Sequence, residues 1–65
     1  MKITAKTDVF EKARVMNGLS QRELARRSEL SHAYVSLVER GAKNVGPAAA
    51  KRLSAVLGKT IDELF

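Results

Sequence analysis

Cysteine is absent from the 65-residue chain, and with it go disulfide staples, thiolate metal sites and cysteine nucleophiles. Such a fold stands on packing. Histidine occurs once, no cluster of side chains has metal-ligand spacing, and no glycine-rich phosphate loop follows a strand. No catalytic residue, metal or cofactor is therefore expected, and no small-molecule ligand is evident. No uncharged stretch approaches the roughly 20 apolar residues of a membrane span, so no membrane partner is expected either. The opening Met1-Lys2-Ile3-Thr4-Ala5-Lys6 is not followed by the apolar run of a secretory signal, which makes a cytoplasmic location the default.

What remains is ordinary globular material, 45% hydrophobic and 29% charged. A chain this short buries only about 60% of the surface its unfolded form exposes, enough for one core but not for an enclosed active site. Twelve Lys and Arg against seven Asp and Glu give a formal charge of +5, a bias towards anionic partners.

Glycines 18, 41, 46 and 58, with Pro47, divide the chain into short segments rich in Ala, Leu, Arg, Lys and Glu, too short for βαβ units. The reading is all-α, with five short helices. The first starts at Thr7 or Asp8, where Asp8 and Glu11 have capping-box spacing, and Gly18 ends it; Phe10, Ala13 and Met16 or Asn17 form its inward stripe. Ser20-Gln21-Arg22-Glu23 is a capping box for the second, with Leu19 and Leu24 at the staple positions; that helix runs to about Ser28. Leu30, Ser31 and Val35 repeat the logic for a third helix ending at Gly41, with Val35 and Val38 inward. Pro47 opens a fourth that runs to Leu57 with Ala50, Leu53 and Val56 or Leu57 inward, and Gly58 ends it. Thr60 and Glu63 cap a last turn.

Two helices of about two turns joined by about three residues make a helix-turn-helix, which leaves the second helix protruding. Ala25 sits where they approach, and a larger side chain would push them apart. The text Gly18-Leu19-Ser20-Gln21-Arg22-Glu23-Leu24-Ala25, then Leu30-Ser31, Val35 to Gly41, Ala50 to Gly58 and Ile61-Asp62-Glu63-Leu64-Phe65 resembles the small regulators related to lambda-type repressors and Cro proteins, the xenobiotic-response-element family. The resemblance covers about residues 8 to 65. It implies a compact five-helix lambda-repressor-like domain at 7–65 behind a short basic N-terminal arm at 1–6. It also implies a sequence-specific double-stranded-DNA-binding transcriptional regulator, a repressor, that lays helix three, about 31–40, in the major groove.

Roles follow residue by residue from the same resemblance. Positions matching His32, Ala33 and Leu37 read bases, with Ser36 assisting; those matching Gln21 and Tyr34 touch phosphate; Arg14 and Glu39 match a structural salt bridge. Chemically, His32 can donate to guanine, while Ala33 and Leu37 suit thymine methyls. Arg40, Lys43 and Asn44, with the amides near Val45 and Gly46, are the phosphate contacts expected after helix three, and Lys2 and Lys6 form the arm. Residues 31 to 59 hold five Lys and Arg against Glu39 alone, a local net of +4, uncontested if Arg14 consumes Glu39. Arg26, Arg27, Lys51 and Arg52 read as solvated helix faces, and Tyr34 reads equally as a packing residue.

One departure stands out: the turn between helices two and three has Glu29 where the family has glycine. Either the turn bends differently, or Glu29 holds a left-handed backbone at a cost of about 1 kcal/mol and pairs with Arg26. A palindromic operator read by a homodimer is expected, since one domain reads only a few base pairs. Its candidate surface is Leu57, Ile61, Leu64 and Phe65, residues that can equally close the core. The rival reading is a helical protein-interaction module, such as an antitoxin, in which the helix-turn-helix is scaffold.

Overall fold

The computed structural model describes residues 3–65. Five helices follow one another: α1 (Thr7–Met16), α2 (Gln21–Arg27), α3 (His32–Glu39), α4 (Pro47–Leu57) and α5 (Ile61–Leu64). Four of the five starts follow the local chemistry. Ser20 Oγ accepts from the Glu23 amide while the Glu23 carboxylate accepts from the Ser20 amide, both at 3.1 Å, and Thr60 with Glu63 does the same for α5. Ser31 Oγ accepts from the Tyr34 amide at 3.1 Å, and Pro47 stands in the first turn of α4, where its missing N–H costs nothing.

The start of α1 corrects the expectation. Its N-cap is Lys6, with no side-chain cap, and Asp8 lies in the first turn, where it acts on the helix only as a charge at the positive end. Tertiary bonds do the capping box's work there. The Lys6 amide donates to the Leu64 carbonyl at 2.7 Å and its ammonium to the Asp62 carbonyl at 2.8 Å, so α5 sets where α1 begins.

The same bonds bear on residues 3 to 6, expected as an arm. Ala5 is buried, Ile3 packs on the core, and the Ile3 carbonyl accepts from the Val45 amide at 2.8 Å. The segment is a strap joining the loop after α3 to α5. Lys2 lies outside the described residues.

The core gathers one stripe from each helix: Phe10 and Ala13, Leu24 and Ala25, Val35 and Val38, Ala50, Leu53 and Leu57, and Leu64. Met16 turns outward, 76% exposed, and Asn17 takes its inward position by donating to the carbonyls of Ala13 and Leu57. Leu57 and Leu64 are 2% and 0% exposed, so of the four residues offered as a dimer surface these two close the core instead. Phe65 sits edge-on to Phe10 with ring centroids 5.9 Å apart and packs against the core, and Ile61 stays exposed.

Candidate nucleic-acid interface

The geometry of α3 starts with the turn before it. The Glu29 amide donates to the Arg26 carbonyl and the Leu30 amide to the Ala25 carbonyl, a Schellman closure that requires a left-handed residue at its centre. Glu29 supplies it with φ of 58°, and Gly18 and Gly41 occupy the equivalent place after α1 and α3 with φ of 70° and 72°. The turn therefore keeps the geometry glycine would give. Glu29 and Arg26 make no ion pair among those found for the described residues. Ala25, 2% exposed, lies in the core between α2 and α3.

Val35, Val38 and Glu39 of α3 are buried, which turns the opposite side of the helix outward. His32 and Ala33 are exposed at its N-terminal end, and Arg40 is exposed just beyond its last turn; Ser36 and Leu37 are half-buried between them. Tyr34 is half-buried, packs against the core, and carries the Lys43 ammonium 5.8 Å from its ring centroid. The ring therefore packs as one of the two readings had it, and its outer face holds a cation by cation–π attraction. Lys43 and Asn44 are exposed. The Val45 amide, expected to be free for phosphate, is occupied by Ile3, and Val45 itself is buried.

Behind this face lies a clamp. Glu39, 6% exposed, accepts from Arg14 Nε at 2.6 Å and Nη2 at 3.1 Å and from Gln21 Nε2 at 3.0 Å, while Arg14 Nη1 donates to the Leu19 carbonyl at 2.8 Å. The hydrogen bond to Glu39 raises the Arg14 pKa against an opposing loss of hydration. One carboxylate so ties α1, the first residue of α2 and the end of α3, and its charge is spent inside the domain. Gln21 spends one amide hydrogen on Glu39, and the other is free for a partner. The family resemblance implies that Gln21 can brace the recognition helix, and the bond to Glu39, 18 positions away, is that brace; the loss of the Val45 amide to Ile3, 42 positions away, has no local signal in the sequence.

Among the described residues no group of His, Asp and Glu is placed to hold a metal ion, and no helix is long and apolar enough to cross a membrane.

Comparison with known proteins agrees with this geometry. The helix-turn-helix family matches residues 10–64. The control protein C.MunI of a Mycoplasma species is 40% identical over 47 residues, 72% of this chain, and the match spans 64% of that relative's length. The crystal structure of the restriction-modification controller protein C.AhdI from Aeromonas hydrophila is similar with a TM-score of 0.82 and 37% identity, over 91% of this chain and 89% of that one. The clp gene regulator ClgR from Corynebacterium glutamicum is similar with a TM-score of 0.78 and 30% identity, over 86% of this chain and 60% of that one.

Proposed function

The chain belongs to the Cro/C1-type helix-turn-helix family, and as a DNA-binding transcriptional regulator of that family it acts, we propose, by laying α3 in the major groove of a specific duplex site. The observation that carries this reading is the exposed face of α3 and its following loop, from His32 to Asn44, with the nearby Glu39 carboxylate neutralised from within.

In this reading His32 donates to a guanine acceptor, Ala33 and Leu37 lie against thymine methyls, and Ser36 reaches either base or phosphate. Gln21, braced by Glu39, offers its second amide hydrogen to the backbone beside the N-terminus of α2, and Arg40, Lys43 and Asn44 neutralise phosphates beyond the other end of α3. Lys43 lies over Tyr34, and this cation–π contact favours a placement of its ammonium beside the α3 face before DNA arrives. Hydrogen-bonding residues are few on this helix, and DNA shape and phosphate contacts supply much of the affinity.

Two copies on a palindromic operator, half-sites about one helical turn apart, would multiply a reading of only a few base pairs into useful specificity. Of the expected surface, exposed Ile61 and the outer edge of Phe65 are the residues left to form that contact. Similarity to the restriction-modification controller C.AhdI supports genes of that kind as targets, and repression is the sign that the resemblance to lambda-type repressors favours.

Selection of bound duplexes from a random pool tests the whole reading. A palindrome with half-site centres about 10 base pairs apart is expected. His32→Ala should then relax preference at one base pair per half-site by about 1–3 kcal/mol while leaving binding to random DNA unchanged. An unenriched pool, or binding indifferent to salt, would refute it.

A further inference from the structure

On the flank of α1 lies an open groove of about 470 Å³, lined by Val9, Lys12, Ala13, Met16 and Asn17 on one bank and by Lys59, from the link between α4 and α5, on the other. Two of its apolar side chains are exposed, Val9 at 41% and Met16 at 76%. Nothing in the DNA-reading geometry uses them. At about 100° per residue, Met16 stands some 200° around α1 from Arg14, and Val9 some 140° from it on the same side as Met16. Arg14 is the residue of α1 that points to the end of α3 through Glu39, so the groove opens on the side of α1 turned away from that contact.

The charges at this groove have one sign. Lys12 and Lys59 stand on opposite banks, both exposed, and among the described residues neither forms an ion pair; no carboxylate lines the groove. A cation on each side of an apolar floor fits a ligand with carboxylates on both sides of an apolar stripe. A small anion would satisfy one bank and leave the floor wet. An amphipathic helix with two or three apolar side chains at i, i+3 or i+4 and i+7 and acidic residues flanking them satisfies both banks and the floor together. Met16 suits such a floor because its unbranched thioether adapts to the shape set on it.

We propose that the α1 groove is a docking site for an acidic amphipathic helix of a partner protein, which binds there while α3 is engaged on DNA. The site makes the regulator's action conditional on a second protein without occupying the DNA face. Its simultaneous action with DNA rests on the proposed reading of α3, whereas the docking itself does not, because binding to the free chain is measured in the same experiment.

The probe is a fluorescein-labelled synthetic helix of leucine at those positions flanked by glutamates, with its lysine-flanked counterpart as control, titrated onto the full chain free and bound to selected duplex. Anisotropy should rise with the acidic peptide alone and equally in both states, and amide shifts should cluster at residues 9–17 and 58–60. Val9→Glu with Met16→Glu, both at exposed positions, should weaken the peptide at least tenfold and leave duplex affinity as it was. Lys12→Glu with Lys59→Glu should do the same to the peptide and favour its lysine-flanked counterpart. Shifts confined to residues 32–44, release of the duplex by the peptide, or no binding at all would overturn the proposal. So would a halving of the free chain's mass in solution on Met16→Glu, since the groove would then belong to a second copy.

Discussion

Glu29 is the residue at which local preference and tertiary demand conflict. Three helix ends close by the same pair of backbone bonds, and two of them place glycine at the left-handed position. Glutamate in the third carries a Cβ against the following carbonyl, a cost of order 1 kcal/mol, part of which glycine would return as lost freedom of the unfolded chain. Glu29→Gly should therefore stabilise the domain by about 0.5–1 kcal/mol, a rise of about 2–8 °C in Tm by thermal melting. A fall would show that the carboxylate makes a stabilising contribution of its own. Gly41→Ala should move the other way and further, because a Cβ there would meet the Thr7 methyl at 3.2 Å in addition to the strained backbone.

At the scale of elements, most helix starts were written locally and one was not. The boxes at Ser20–Glu23 and Thr60–Glu63 need only residues three apart, and both form. Asp8 and Glu11 have the same spacing and do not form one, because the Lys6 backbone is already held by α5. The two formed boxes carry a pH dependence. Each glutamate carboxyl is held below its usual range by the N-cap amide it accepts from, Ser20 for Glu23 and Thr60 for Glu63. A folded-state pKa below the unfolded one gives stability that is whole above about pH 4.3 and is lost as pH falls through the lowered value. Between pH 7 and 2.5 the double variant Glu23→Gln, Glu63→Gln, which keeps the box but not the titration, should lose less Tm than the parent. Superimposable profiles would remove the boxes from the acid response.

The clamp on Glu39 also belongs to this scale, since it joins three helices. Exposed pairs contribute up to about 1 kcal/mol, and stripping one partner from a fully buried pair costs about 3–5. Glu39→Ala, which leaves a mostly covered guanidinium without its acceptor, should fall between, at about 2 kcal/mol in urea unfolding. It should also weaken duplex binding through the unbraced Gln21. Full affinity in a variant shown to be folded would separate the brace from the DNA contact.

For the whole molecule, the formal charge of +5 matters less than where it stands. The one acid among residues 31 to 59 is Glu39, and it is consumed inside. Binding to duplex should weaken with salt with a log–log slope of about −0.9 for each phosphate neutralised. Lys43→Ala should reduce that slope by about 1 and weaken random and selected sequences alike. Arg52→Ala, on a solvated face of α4, should leave the slope unchanged. Equal slopes for both variants would move the phosphate contact away from the loop after α3.

Caps, terminating glycines and apolar spacing act within a few residues, and from them the sequence alone determined five helices, the helix-turn-helix and the inward set from Phe10 to Leu53. At Glu29 the sequence left the turn open between two geometries, and the Schellman bonds of the folded chain decided for the left-handed one. Other features depend on which distant segments meet: the strap of residues 3–6, the occupied Val45 amide, the burial of Leu57 and Leu64, and the groove left beside α1. Apolar spacing identifies a residue as inward or outward without naming what lies opposite. Only the packed chain decided that Leu64 would fill the core and Met16 would be left outside it.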